Sequence, residues 1–493
     1  MSSADLNNID SFGSVSAEDD NILLDYFIST DSVKRVRDGG AFIVLGRKGS
    51  GKTAIVRHFT EGVDKQRSRA LNLRNYPWNV HASRIDRGAD AVDAYVASWR
   101  YLVAIELAVW ALEKSRHNPN AHQKPLIDFL TENYGGPHPN LSDIIRPKTL
   151  KTKGFIFNPQ ILGNSLGSID LERGDKNKDL GLELETLTSA LLKSATTIIK
   201  EINLGEFLLH FDELDAGLDN LDDTRKRMVV GLILALRNLR RDFRDMEVDV
   251  KPILYLRTDI WDDLAFSDKN KITQSLAETI EWNPDTLKQL VEERLKAKFN
   301  TPTAWEDVID NQLMRGSQPK WNHIISRTLK RPRDVIQFLN IALKVAKRRQ
   351  DAIKLKTQIN EPLKFQNKDI VNSRPDYSAY LKKELDDEIL PHWPKWDEAM
   401  QAISKIGTET FSLEIFDAEY ALRKSTANPF TMADALKSLH KFSTIGYRTR
   451  SGYGGSKWVF MYEEPDRGWD AHATQFKVHP GLKEHAGLRE GRK

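Results

Sequence analysis

Up to about residue 282, short solid apolar runs alternate with helical stripes; beyond Trp282 the stripes continue without the runs. Residues 1–20 are polar and read as loosely structured. Residues 21–37 have helical spacing, with Ile22, Leu23, Tyr26, Phe27 and Val33 on one side. The apolar run 41–45 predicts a buried strand, followed by a glycine-rich turn and a helix from about Lys52. A second β-type stretch lies near 70–73, and 92–115 predicts a long apolar helix. Residues 117–179 are broken by Pro119, Pro125, Pro137, Pro139, Pro147 and Pro159, and read as a surface insertion of helix and loop. A helix at 187–202, a strand at 207–211, a helix at 223–241 and a strand at 252–256 follow. Strands alternating with helices predict a three-layer α/β unit with a largely parallel sheet.

Helical stripes then occupy 284–299, 305–313, 322–329 and 333–348. Residues near the C-terminus predict three helices, at 393–406, 413–424 and 431–441, then strands at 445–450 and 457–462. The glycine-rich tip between those strands suits a hairpin, and the whole is a winged-helix pattern. The expected divisions are a core over 1–282 with an insertion at about 91–200, a helical lid over 283–350, and a linker over 351–391. A winged helix over 392–465 and a tail over 466–493 complete them.

Composition narrows the chemistry. The chain of 493 residues has no cysteine, which excludes disulfides, thiolate catalysis and cysteine-bound metal and fits a reducing cytoplasm. The N-terminus lacks the pattern of a signal peptide, and the apolar stretch 101–112 carries Glu106 and is too short to span a bilayer. No membrane association is expected, and the location expected is cytoplasmic. The net charge of +3 is uneven: residues 315–365 carry 13 Lys/Arg against 3 Asp/Glu. Such a run suits nucleic acid or bound phosphates, and equally a solvated helical face.

Gly46 to Thr53 reads GRKGSGKT, a full G-x-x-x-x-G-K-[ST] match lying between a strand and a helix. Gly46, Gly49, Ser50 and Gly51 would curl the backbone so that its N–H groups face phosphates at a helix N-terminus. Lys52 would reach the β and γ phosphates, and the Thr53 hydroxyl would ligate Mg²⁺. The run EFLLHFDELD places Asp212 at a strand's C-terminal end, where parallel sheets put their ligands. Asp212 is the expected Mg²⁺ partner and Glu213 the expected general base for water. His210 reads as a core histidine.

Five arginines are further candidates. Arg257, ending the strand 252–256, would sense the γ-phosphate, or would simply pair with a surface acid. Arg240 and Arg241, with Arg244 beside them, would reach a neighbouring subunit's nucleotide as an arginine finger, or would complement a helix dipole. Arg333, in TLKRPRDVIQFLN, would reach the phosphates from the lid; its ordinary alternative is neutralisation by Asp334.

Taken in order, the phosphate loop, the distant Asp-Glu pair, the arginine after the next strand, the helical region with RPRD and the winged helix resemble the AAA+/STAND branch of P-loop ATPases. Origin-recognition-like and KAP-like proteins belong to that branch. The chain looks more closely like a group of bacterial P-loop ATPases that share Phe12-Gly13, Tyr76-Pro77-Trp78 and the ending FKVHPGL, here Phe476 to Leu482. The resemblance implies an ASCE-type P-loop NTPase that binds ATP and Mg²⁺ through Lys52, Thr53, Asp212 and Glu213. Arg257 would be its first sensor and Arg333 its second. The gap of 160 positions from Lys52 to Asp212 exceeds that of compact AAA+ modules, and an arginine finger of the usual kind is not evident.

The expected activity is ATP hydrolysis by a regulatory ATPase. Lid closure would control a homo-oligomer or an effector protein partner, and the resemblance implies a role in bacterial antiviral defence. The alternative is an initiator- or loader-type ATPase that contacts duplex DNA. Its contacts would be Lys437, His440 and Lys441 on the third helix and Arg448, Arg450 and Lys457 on the wing, with Tyr453 at the tip. The residues show no nuclease-like carboxylate cluster beyond the Asp-Glu pair.

Overall fold

Five short strands, all parallel, form one sheet in the order β2-β3-β4-β1-β5. The computed structural model describes residues 4–74, 91–116, 122–139, 144, 179–214, 222–355, 361–450 and 455–489. Tyr76-Pro77-Trp78, residues 145–178 of the insertion and Tyr453 lie outside the described residues. The chain forms two compact units. One comprises Ser29–Arg47 and Ile55–Ile280, the other Met1–Ile28, Lys48–Ala54 and Glu281–Lys493.

The sheet unit runs α1 (Asp31–Arg37), β1 (Ile43–Gly46), the part of α2 (Lys52–Arg57) from Ile55 onwards, β2 (Ser68–Asn72), α3 (Ala91–Lys114), α4 (Gln123–Tyr134) and α5 (Asp179–Glu201). Then come β3 (Phe207–Asp212), α6 (Asp223–Asp245), β4 (Val250–Arg257), α7 (Thr258–Asp263), α8 (Lys269–Leu276) and β5 (Ala277–Thr279). Every residue of β1 and β3 is buried, as their unbroken apolar runs require of central strands. Helix α3 packs against α5 and α6. Trp110 on α3 stacks on Phe207 at 3.7 Å between ring centroids, and the Trp99 indole donates to the Met228 carbonyl at 3.0 Å. Glu106, in the middle of this apolar helix, is buried and lies 3.4 Å from Arg69 on β2. Among the described residues α3 is the one helix long and apolar enough to cross a membrane, and most of it is buried within the structure.

The helical stripe at 21–37 is not one helix. A 3₁₀ turn covers Leu23–Tyr26, and α1 starts afresh at Asp31, because the Thr30 hydroxyl caps the Val33 amide.

In the second unit α9 (Pro284–Phe299), α10 (Lys320–Ile325), α11 (Pro332–Lys354), α12 (Asn367–Asn372) and α13 (Arg374–Ile389) share one core with α14 (Trp396–Ile406), α15 (Leu413–Ala421) and α16 (Met432–Lys441). The stripe at 305–313 yields only a 3₁₀ turn, Trp305–Val308, after which Ile309 bridges to Phe365. The residues expected to be loose at the N-terminus are fixed instead: Leu6, Ile9 and Phe12 are buried in this core. Asn340 on α11 brackets the turn, accepting from the Phe12 amide at 2.8 Å and donating to the Gly13 carbonyl at 3.0 Å. Arg294 on α9 is buried, donates to the Phe12 carbonyl at 2.6 Å and lies 4.1 Å over the Tyr26 ring.

Helices α14 to α16 and the hairpin of β7 (Ile445–Arg450) and β8 (Ser456–Val459) lie where the sequence placed them. The hairpin belongs to a larger antiparallel sheet, β6-β9-β7-β8, with β6 at Thr410–Ser412 and β9 at Gln475–Val478. Residues read as a tail thus supply an inner strand, and Phe476 and Val478 are buried there.

The basic run at 315–365 is largely consumed inside the unit. Lys320 is buried against Asp310 at 2.6 Å, Arg349 pairs with Asp369 at 2.8 Å, and Lys347 donates to the Ile9 carbonyl at 2.7 Å. Arg315, Lys344, Arg348 and Lys354 are exposed, so part of the run is a solvated face.

Candidate functional site

In the sheet unit, β3, β4 and β1 are neighbours and parallel, so their C-terminal ends share one edge. Gly46, the first residue of the phosphate-loop motif, stands opposite Arg257 in register. Phe211 stands opposite Leu254, which places Asp212 one residue further along the same edge. The edge therefore carries the start of the motif, the candidate sensor arginine and the candidate magnesium ligand on three adjacent strands.

Asp212 and Glu213 are only 5% and 7% exposed. Glu213 has φ of +59°, a left-handed conformation that costs energy in any residue with a Cβ and that clusters at functional sites. Its carboxylate meets the Arg74 guanidinium at 3.1 Å. Arg257 is forked onto Asp259, with Nε and Nη2 at 2.9 and 2.7 Å from the two carboxylate oxygens. The ordinary alternative for Arg257 thus has its acid, although that acid lies two residues along the same chain end. His210 is a core histidine: it lies against Phe59, contacts the Tyr255 hydroxyl at 3.0 Å, and burial pushes it down to about 3.

In the second unit, three consecutive carbonyls of the loop accept hydrogen bonds from residues more than 200 positions away. Arg331 donates to Lys48 at 3.0 Å, the Arg333 amide to Gly49 at 3.4 Å, and the Trp282 indole to Ser50 at 2.8 Å. Gly49 and Gly51 have φ of +78° and +103°, where a side chain would be strained. At Gly49 space forbids one as well, since a Cβ there would come within 2.8 Å of the Arg333 Cβ. The Ser50 hydroxyl is buried and has no hydrogen-bond partner among the described residues. Lys52 is buried and opens α2, followed by Thr53. A hydroxyl without a partner, two glycines at positive φ and a lysine at a helix start fit a phosphate ligand. In the sheet unit, Asp212 and Glu213 are buried carboxylates of the kind that hold a cation.

Arg333 begins α11 beside this loop, but Asp334 is not its counter-ion. Asp334 is fully buried and belongs to Arg331, which it meets twice at 2.9 Å. Arg333 is held by Glu384 on α13 at 3.1 Å and by the Val15 carbonyl at 3.3 Å. Sequence reasoning passed over Arg331. Burial alone would favour loss of its proton, yet the Asp334 and Glu388 carboxylates outweigh that and hold its pKa well above the usual arginine value. The three-residue spacing of Arg331 and Asp334 across a helix start was the available signal; Glu384 and Glu388 left none.

The other candidates fall elsewhere. Arg240 is partly buried, donates to the Gly39 carbonyl at 3.0 Å and lies 5.3 Å over the Phe42 ring. These contacts within its own chain argue against a finger. Arg241 is exposed and bonds to Asn238. On α16, Lys437 is exposed and Lys441 half-buried, whereas His440 is buried among Tyr447 and Trp469. On the hairpin, Arg448 is exposed, Lys457 is tied to Glu464 at 2.7 Å, and the Arg450 backbone pairs with Ser456.

Residues 285–386 match the family described as the FunZ-associated C-terminal helical domain, a span that runs from the start of α9 nearly to the end of α13 and includes Arg331, Arg333 and Glu384. Among solved structures, the chain is similar to Cdc6p from Pyrobaculum aerophilum at 12% identity, over 92% of this chain and 89% of that one. The TM-score of 0.29 is too low for that likeness to establish a shared fold. No curated protein matches the chain.

Proposed function

We propose that this chain binds ATP with Mg²⁺ and hydrolyses it, acting as a regulatory ATPase. The observation that carries this reading is the strand order. It brings Gly46, Arg257 and Asp212 to one edge of a parallel sheet, where such sheets bind ligands. The loop amides between Gly46 and Thr53, the Lys52 ammonium and the α2 N-terminus would bind the phosphates. Thr53 is proposed as a metal ligand from its place in the motif, and Asp212 from its place at the end of β3. Bound Mg²⁺ would offset charge on the phosphate oxygens. Glu213 would accept a proton from the attacking water, and Arg333 would report phosphate occupancy to the helices that follow it. The three carbonyl contacts from Arg331, Arg333 and Trp282 support this by fixing the loop backbone in advance of any ligand.

Titration of the full chain with ATP tests the reading. The wild type should bind and Lys52→Ala should not; equal binding by both would overturn it. The initiator-like alternative has weaker support, because His440 is buried and Lys457 is engaged by Glu464. It would regain ground if duplex DNA raised ATP turnover at low salt and lost that effect at high salt.

A further inference from the structure

Around residues 48–54 the charged side chains form two tiers. The inner tier is Arg331 with Asp334 and Glu388, whose side chains are 2%, 0% and 5% exposed. Such a pair cannot exchange partners without leaving a buried charge unpaired. The outer tier is Arg333, Lys48, Glu384 and Asp387, exposed by 22%, 20%, 16% and 66%. One oxygen of Glu384, Oε2, serves both cations, at 3.1 Å from Arg333 and 3.5 Å from Lys48. Lys48 has a second carboxylate in Asp387 at 2.6 Å. Arg333 starts α11 with its amide on the Gly49 carbonyl and its side chain directed to Glu384.

Building on the nucleotide-binding reading above, we infer that Glu384 is a positioning residue that competes with the terminal phosphate of the nucleotide for Arg333. The two tiers hold three cations and four carboxylates. Lys52 and bound Mg²⁺ would offset only part of the charge of a triphosphate on the adjoining loop, so a further cation is drawn to it and one carboxylate yields its partner. The inner pair is fixed by burial, and Asp387 touches only Lys48 among these cations. Glu384 is the carboxylate whose release frees Arg333. Its shared oxygen would return Arg333 and Lys48 to their places after the phosphate leaves. Glu384 would thereby set how strongly the triphosphate is preferred over the diphosphate, without touching either.

The test uses the full chain, a slowly hydrolysed ATP analogue and ADP. Glu384→Gln should bind the analogue about two- to five-fold more tightly than the wild type, the range that a partly exposed ion pair is worth, with ADP affinity unchanged. Asp387→Asn should leave the ratio of the two affinities as it was. In Arg333→Gln the Glu384→Gln gain should vanish, because the effect runs through that arginine. Equal or weaker analogue binding by Glu384→Gln, or a gain that persists without Arg333, overturns the inference. Should Glu384→Gln fold poorly, Glu384→Ala carries the same expectation. Failure of the wild type to bind either nucleotide would instead overturn the nucleotide reading itself.

Discussion

Arg331 and Asp334, three residues apart across the start of α11, face each other through two hydrogen bonds of 2.9 Å and are almost wholly shielded from solvent. The same arginine reaches Glu388 on α13 and the Lys48 carbonyl of the glycine-rich loop. Arg331→Leu would leave two carboxylates buried without their cation, which typically costs about 3–5 kcal/mol. The denaturation midpoint should fall accordingly. An unchanged midpoint would mean that the acids find other partners.

The two loop glycines should fail differently. Gly51→Ala adds backbone strain alone, since nothing lies within 4 Å of the new Cβ. Gly49→Ala adds the same strain and pushes against the Arg333 Cβ. Both should lose nucleotide binding. Strain of this kind is worth about 1–3 kcal/mol, and thermal unfolding should show Gly49→Ala as the less stable of the two.

Acid should destabilise the protein already above the pH at which its carboxylates titrate. Burial pushes His210 and His323 down to about 3 and His440 to about 4, with Arg327 and Arg374 adding to the effect at His323. In the unfolded chain a histidine titrates near pH 6.5. Below that pH the unfolded chain binds protons that the folded one refuses. These groups therefore destabilise the fold increasingly as pH drops from about 6.5 towards 4. Chemical unfolding at pH 7.5 and pH 5 should show the loss, and His440→Leu should lose less between the two.

What the sequence made legible was what depends on neighbours along the chain. The phosphate-loop spacing, the buried runs of β1, β3 and β4, and the helix α9 could all be read from local pattern. Strands β5, β6 and β9 lack an unbroken apolar run and exist through pairing with distant segments, so no local pattern announces them. The apolar stripe at 21–37 does not make one helix because one capping threonine outweighs it. At the site, the spacing singled out Arg333 but gave it the wrong acid. Its partner Glu384 lies 51 residues further on, in a stretch of mixed composition.

Glu213 links the strained turn after β3 to the proposed chemistry, and ATP turnover by Glu213→Gln tests the central claim most directly. The variant should bind ATP as tightly as the wild type, while hydrolysis falls by about 10²–10⁴-fold, the usual worth of a general base. Hydrolysis at the wild-type rate by Glu213→Gln would contradict the assignment of this edge of the sheet as an ATPase site.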